Sequence, residues 1–264
     1  MVVLPTSEPD QDSSSRDRGD YEALGYAILP PVPKRLIDLL STELDGIISQ
    51  GSTLPPDLKA LCIFERDLPS TKRDGIPPSE TGDAIFLVGD LCRFSPVFAA
   101  ALAHPPLIAA VSAALETTDL VCHFSNATIK SARVGSGISW HRDAANSYMP
   151  TARSEYLRAM ICLDGLSAEN GGTSFLPASH LVAEAQSAPE FVMMCPPGSV
   201  VLIHPQVLHG GGPNRSQRAR RNLIVQWGRR DDPVLGEHRE TLTGLSPAEV
   251  AAIASAVGLG RPAE

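Results

Sequence analysis

The stretch Ser139-Trp140-His141-Arg142-Asp143, answered later by His209 and then by Arg220, decides how this 264-residue sequence is read. On extended backbone, residues i and i+2 point to the same side, so His141 and Asp143 can reach one metal ion while Trp140 and Arg142 face away. Two imidazoles and one carboxylate can bind a divalent iron on one triangular face and leave three positions open, a ligand set suited to non-heme iron chemistry. His209 would complete that set. It follows Gly198-Ser199-Val200-Val201-Leu202-Ile203-His204, a β-branched apolar run that predicts a buried strand delivering the third ligand from across a barrel. Arg220 opens Arg220-Arg221-Asn222-Leu223-Ile224-Val225-Gln226-Trp227, which predicts the next strand. A guanidinium there is the side chain best suited to grip a carboxylate through two parallel hydrogen bonds.

A His-x-Asp tripeptide alone is weak evidence, because most such pairs are simply solvated. The order of the surrounding segments is more specific. Glu169-Asn170-Gly171-Gly172-Thr173-Ser174-Phe175-Leu176-Pro177-Ala178-Ser179-His180 lies between the two ligand segments, Pro196-Pro197-Gly198-Ser199 leads into the second, and His209-Gly210-Gly211-Gly212-Pro213-Asn214 follows it. This arrangement resembles the phytanoyl-CoA dioxygenase family of iron(II)/2-oxoglutarate oxygenases. The opening Asp20-Tyr21-Glu22-Ala23-Leu24-Gly25-Tyr26-Ala27-Ile28-Leu29 is similar to that family's helix-glycine-strand start. Ala178 stands where the family's turn usually has glycine, a departure that touches loop geometry and not the metal ligands.

The resemblance implies a double-stranded β-helix, or jelly roll, with His141, Asp143 and His209 as iron(II) ligands and Arg220 holding 2-oxoglutarate. It also implies the reaction: dioxygen oxidises an unactivated C–H bond of a small-molecule metabolite while 2-oxoglutarate becomes succinate and carbon dioxide. Hydroxylation is the expected outcome, and desaturation, cyclisation or epimerisation can start from the same hydrogen abstraction. Asp143 disfavours halogenation, since related halogenases have Gly or Ala at that position.

Other candidates rest on local pattern. Asn126, Thr128 and Lys130 alternate onto one face of a strand leading toward His141, which makes Thr128 and Asn126 candidate 2-oxoglutarate contacts; plain strand alternation explains the same pattern. Tyr148, Arg153 and Arg158 follow the His-x-Asp in a loop and strand where substrate contacts are commonly built, with surface placement as the alternative. Asn146 is a candidate for orienting a ligand. His180 is expected to make a structural hydrogen bond and His204 to neighbour the site, while His104, His123 and His238 are read as non-functional. Of the basic cluster Arg218, Arg220, Arg221, Arg229 and Arg230, all but Arg220 fit a solvated strand edge.

Composition bounds the rest. With 43% hydrophobic residues the chain can bury a sizeable core. A net charge of -8 argues against a nucleic-acid partner, because phosphate binding needs a basic field. Five cysteines, at 62, 92, 122, 162 and 195, show no CxxC and suggest neither a disulfide framework nor a zinc site, so a reducing cytoplasm is the expected location. No apolar leader accompanies Ser13-Ser14-Ser15-Arg16-Asp17-Arg18, and residues 1–19 are expected to be a disordered tail before one domain spanning 20–264. The C-terminal Pro262-Ala263-Glu264 is no peroxisomal Ser-Lys-Leu signal, which counts against a peroxisomal acyl-CoA substrate. Membrane association is not expected, and the oligomeric state is open.

Along the chain, Leu36, Ile37, Leu40, Leu44 and Ile47 or Ile48 recur at helical spacing between Pro33 and Gln50 and predict an amphipathic helix. Residues 51–82, rich in Pro, Ser, Thr and Gly, predict a long irregular connection that could serve as a substrate lid. Helices are expected again from Ser95 to Ala103 and from Pro106 to Leu115, strands from Leu120 to Trp227, and a closing helix from Ser246-Pro247-Ala248-Glu249 to Val257. This pattern predicts an α+β fold with a mainly β core and helices on one face of a closed or sandwiched sheet. Two other classes compete. His141-Arg142-Asp143 also spells the start of a protein-kinase catalytic loop, but no nucleotide-binding glycine loop, Val-Ala-Ile-Lys strand or Asp-Phe-Gly is present. A catalytically silent jelly-roll binding protein would not need all of His141, Asp143, His209 and Arg220.

Overall fold

The computed structural model describes residues 13–73, 75–182, 190–256 and 258. Numbered along the chain, its strands begin with β1 (Tyr26–Leu29), β2 (Cys62–Phe64), β3 (Ile85–Gly89), β4 (Leu120–Lys130), β5 (Ile138–His141) and β6 (Tyr156–Cys162). They continue with β7 (Ser174–Phe175), β8 (Phe191–Val192), β9 (Val200–Ile203), β10 (His209–Gly211) and β11 (Arg220–Arg229). Two antiparallel sheets result: a large one in the order β1-β9-β6-β11-β4-β3-β2 and a small one in the order β5-β10-β7-β8.

Period-two alternation divides the large sheet into two buried faces. Ala127 and Ile129 of β4, Leu157, Ala159 and Ile161 of β6, and Leu223 and Val225 of β11 join one core with the helices. On the other face, Met160, Val201 and Ile203 pack against Phe175 and Met193 from the side of the small sheet. The architecture is therefore a jelly roll with helices on one face, as the sequence leads one to expect, and its sheets remain open rather than closing into a barrel.

Helix Lys34–Gln50 covers the outer face with buried Ile37, Leu40, Leu44 and Ile47, an i, i+3, i+7, i+10 stripe. Each such side chain contributes roughly 1.5–3 kcal/mol on burial. Gly51, at φ +48°, ends the helix in a conformation that favours glycine, and its N–H donates to Ile47 O. Trp227 is fully buried beneath the helices and donates its indole N–H to Leu102 O at 3.1 Å. At the far end of the chain, Ser246 and Glu249 form a reciprocal capping box on helix Pro247–Ser255.

Several expectations change. The tail expected through residue 19 gives way to a helix at Ser13–Leu24, and residues 1–12 lie outside the described residues, as does Val257. The segment 51–82 is not wholly irregular: its apolar Cys62–Phe64 pairs with Ile85–Val88 and adds an edge strand to the large sheet. The apolar run before His209 forms β9 in the large sheet, whereas His209 lies beyond a turn on β10 of the small sheet. Among the described residues, no helix is long and apolar enough to cross a membrane.

Candidate active site

His141 ends β5, and its register partner across the small sheet is His209, the first residue of β10. The strand stops two residues short of Asp143, which opens a 3-10 turn. Arg142 remains extended at φ −109° and ψ 134°, so the carboxylate still returns to the side of His141. One ligand atom from each of His141, Asp143 and His209 lies within 4.8 Å of the other two. The His141 and His209 ring centroids are 4.3 Å apart.

The unused valences fit a cation. Nδ1 of His141 faces Ser139 O at 2.9 Å and Nδ1 of His209 faces Val207 O at 3.0 Å. Donation to those carbonyls fixes the tautomer that leaves both Nε2 lone pairs toward the cluster. Asp143 is fully buried, and its Oδ2 has no hydrogen-bond partner. Burial opposes its ionisation, but Arg158 and the two imidazoles outweigh that and hold it below the usual carboxylate range. Burial likewise lowers His209, against the pull of Asp143.

Arg158 takes a different part from the substrate contact expected of it. Its Nη1 donates to Asp143 Oδ1 at 2.5 Å, its Nε to Gln226 Oε1 at 3.2 Å, and its guanidinium carbon lies 5.1 Å from the centre of the Phe124 ring. Arg142, turned away as expected, donates to the carbonyls of Ser179, Gln206 and Val182.

The cluster lies on the wall of a cavity of about 550 Å³. Arg220, 2% exposed, lines it together with Asn126, Thr128 and Lys130. Burial pushes the Arg220 guanidinium down to about 10, its Nε has no partner, and its Nη2 reaches Gly171 O at 3.4 Å. Asn126 Oδ1 is also buried without a partner. Lys130 pairs in register with Arg220; burial first, and then the Arg220 charge, push its ammonium down to about 6 while Glu65 acts in the opposite sense. The outer walls are largely apolar, with Leu61, Ile63, Leu87, Phe124 and Ile224.

The remaining candidates divide. Asn146 and Tyr148 line the cavity, whereas Arg153 is exposed and pairs with Glu155 and Asp231. His180 makes the expected structural bond, to Glu22 O at 2.9 Å, and its ring lies 4.8 Å from that of His204, outside the cavity. His238, read from the sequence as non-functional, lines the cavity, with Nε2 3.2 Å from Tyr148 Oη. Sequence reasoning missed Glu240, which accepts from Tyr148 Oη at 2.5 Å and from Ser125 N at 3.0 Å, and whose carboxyl burial pushes up to about 7. No local pattern marks it. Of the basic cluster, Arg221 is bound to Asp164 and Asp45 outside the cavity.

Comparison with known proteins gives a consistent picture. The family model described as phytanoyl-CoA dioxygenase (PhyH) matches residues 80–222. The chain is 29% identical over 226 residues to dioxygenase trt7 of Aspergillus terreus, covering 78% of this chain and 76% of that protein. Among solved structures, EctD from S. alaskensis with bound Fe superposes with a TM-score of 0.69 at 18% identity, over 90% of this chain and 86% of that one. The epimerase SnoN, in complex with Fe3+, alpha ketoglutarate and nogalamycin RO, gives 0.68 at 15% identity, over 86% and 88%. At these identities the structural likeness concerns the fold.

Proposed function

The chain belongs to the phytanoyl-CoA dioxygenase family and is a non-heme iron oxygenase, and from that premise we propose that it oxidises an unactivated C–H bond of a small-molecule metabolite. The observation that carries the reading is the convergence of His141, Asp143 and His209 on the wall of a cavity that also holds the buried Arg220.

Iron(II) and 2-oxoglutarate, when bound, supply oxidation by dioxygen coupled to conversion of the keto acid to succinate and carbon dioxide. In this reading His141 Nε2, His209 Nε2 and a carboxylate oxygen of Asp143 hold the metal. Arg158 keeps the Asp143 carboxylate ionised and oriented. Arg220 takes the distal carboxylate of 2-oxoglutarate, and Thr128 and Asn126, on the neighbouring strand, contact the same molecule. The metabolite occupies the outer part of the cavity, where Leu61, Ile63 and Leu87 exclude water from its body and Tyr148, His238 and Glu240 present polar atoms. Ala60, Leu61 and Ile63, from the segment expected to serve as a lid, form part of the cavity wall. Hydroxylation is the outcome favoured here; epimerisation, the activity named for SnoN, is the second reading. The five free cysteines fit a reducing compartment.

The test combines turnover and products. Purified protein with Fe(II), 2-oxoglutarate and dioxygen should release succinate, and a panel of candidate metabolites should raise that rate, with product masses separating added oxygen from inverted stereochemistry. His141→Ala and Asp143→Ala should abolish iron-dependent turnover. Full activity in either variant would overturn the ligand assignment.

A further inference from the structure

Lys130 is 1% exposed, and neither the metal ligands nor the proposed diacid contacts account for it. Its Nζ donates to three backbone carbonyls: Gly171 at 2.9 Å, Gly211 at 3.3 Å and Gly212 at 2.5 Å. Three acceptors match the three N–H bonds of an ammonium, which a neutral amine cannot supply. The acceptors belong to two glycine segments distant in sequence. Gly211 and Gly212 continue β10, whose first residue is His209. Gly171 lies in the turn before β7, and its carbonyl also accepts from Arg220.

The glycines are needed for this approach. A Cβ on Gly211 would stand 3.0 Å from Gly172 O and 3.2 Å from Lys130 Nζ. One on Gly171, at φ +68°, would stand 2.5 Å from Gly212 O. Two backbones therefore meet at a separation that side chains forbid, and converging carbonyl dipoles repel unless a cation lies among them. Burial and the neighbouring Arg220 charge favour a neutral Lys130 amine, but three carbonyls that accept all three N–H bonds of the ammonium favour the charged form, and this cage of acceptors keeps Lys130 a cation. Its register partner is Arg220, so the arrangement sets two buried positive groups side by side, an unfavourable pairing. The carbonyls offset part of that cost by ligating Lys130.

We infer that Lys130 is a positioning residue for the active site: its ammonium ties the Gly211–Gly212 end of β10 to the Gly171 turn, fixing His209 relative to Arg220. The inference rests on the proposed reading of His209 as a metal ligand and Arg220 as the diacid contact. It gives a physical reason for the paired motifs Asn170-Gly171-Gly172 and His209-Gly210-Gly211-Gly212, whose glycines the chemistry alone does not require.

The test is anaerobic titration of the full chain with Co(II) alone as probe, read by its visible ligand-field bands, alongside thermal unfolding of each protein. Lys130→Met should weaken Co(II) binding by roughly 10–100-fold, the range for loss of a group that orients a ligand, and should shift the ligand-field bands. Leu107→Ala, a buried helix residue remote from the cavity, should lower the unfolding temperature without altering the bands. Wild-type affinity and spectrum in Lys130→Met would overturn the inference and leave the functional reading intact. A wild-type protein that gives no His-and-carboxylate Co(II) spectrum would overturn the reading and the inference with it. If the methionine variant does not fold, Lys130→Gln, which offers two N–H bonds but no charge, carries the same comparison with a smaller expected loss.

Discussion

Replacing Arg220 by methionine should separate co-substrate binding from folding. Burial holds the guanidinium at about 10, against an ordinary value of 12.5. A displacement of that size corresponds to a cost of roughly 3 kcal/mol at about 1.4 kcal/mol per pH unit. What the folded protein returns is small. Nε is unpartnered, the contact to Gly171 O is long at 3.4 Å, and the best bond runs from Nη1 to the Asn222 side-chain oxygen at 2.7 Å in the amide orientation that satisfies both groups. Two such bonds contribute about 1–3 kcal/mol net. Methionine fills much of the same volume without a charge, so the ligand-free variant should lie within about 1 kcal/mol of the wild type, or above it.

Binding should behave in the opposite way. Two charge-assisted hydrogen bonds to a carboxylate, at about 1.5–3 kcal/mol each, would be lost together. That loss predicts a rise of roughly 10²- to 10⁴-fold in the 2-oxoglutarate dissociation constant. Anaerobic calorimetric titration of 2-oxoglutarate into Fe(II)-loaded protein measures it, and urea unfolding of the ligand-free protein measures stability. A variant several kcal/mol less stable that bound 2-oxoglutarate normally would refute the reasoning and make Arg220 a structural residue.

Two further outcomes follow from buried charge. Arg158→Met removes the hydrogen bond that β6 donates to the Asp143 carboxylate, and should weaken Co(II) binding by roughly 10–100-fold; an unchanged titration would show that the turn at 143–145 orients Asp143 unaided. His123 is 1% exposed and accepts from Gln226 Nε2 at 3.0 Å, and burial holds its pKa at about 4 against the ordinary 6.5, with Asp232 pulling the other way. The unfolded chain takes up the proton from pH 6.5 downward while the folded chain resists until about 4, so stability should fall across that window. The contribution of this one group reaches roughly 3 kcal/mol. His123→Gln should flatten the dependence of urea midpoints on pH, and parallel curves for the two proteins would assign the effect to another group.

What the sequence discloses follows chain distance and periodicity. His141 and Asp143 are two residues apart, so a local rule suffices to put them on one side, even though the strand ends between them. The alternation of Asn126, Thr128 and Lys130 survives into the structure because β4 pairs with β11 without a register shift along this stretch. The β9 run misleads for an instructive reason: an apolar β-branched segment announces a buried strand but not which of two sheets will pair with it. The turn 204–208 then moves the chain from one sheet to the other. Glu240 and His238 lie far from every motif, and only the packing of the segment after β11 brings them to the cavity. In the sequence Arg158 fits a surface or a substrate contact equally well, because a charge on a strand says nothing about what faces it across the fold.

The inequality of the two sheets explains where the chemistry sits. The small sheet brings two imidazoles into register and, just past β5, the carboxylate, but its strands are short, four residues at most. The large sheet is buried on both faces and anchored under helices. From three adjacent strands of that layer, β6, β11 and β4, Arg158, Arg220 and Lys130 reach across to Asp143 just past β5, to the Gly171 turn before β7 and to Gly211 at the end of β10. Each contact joins a buried cation to a fixed anion or carbonyl, and such contacts weaken steeply with length and misalignment. The separation of the sheets is thereby tied to the geometry of the ligand set. A substitution that thins the layer between them, such as Met160→Ala, should disturb metal binding even though Met160 is not one of the three candidate ligands.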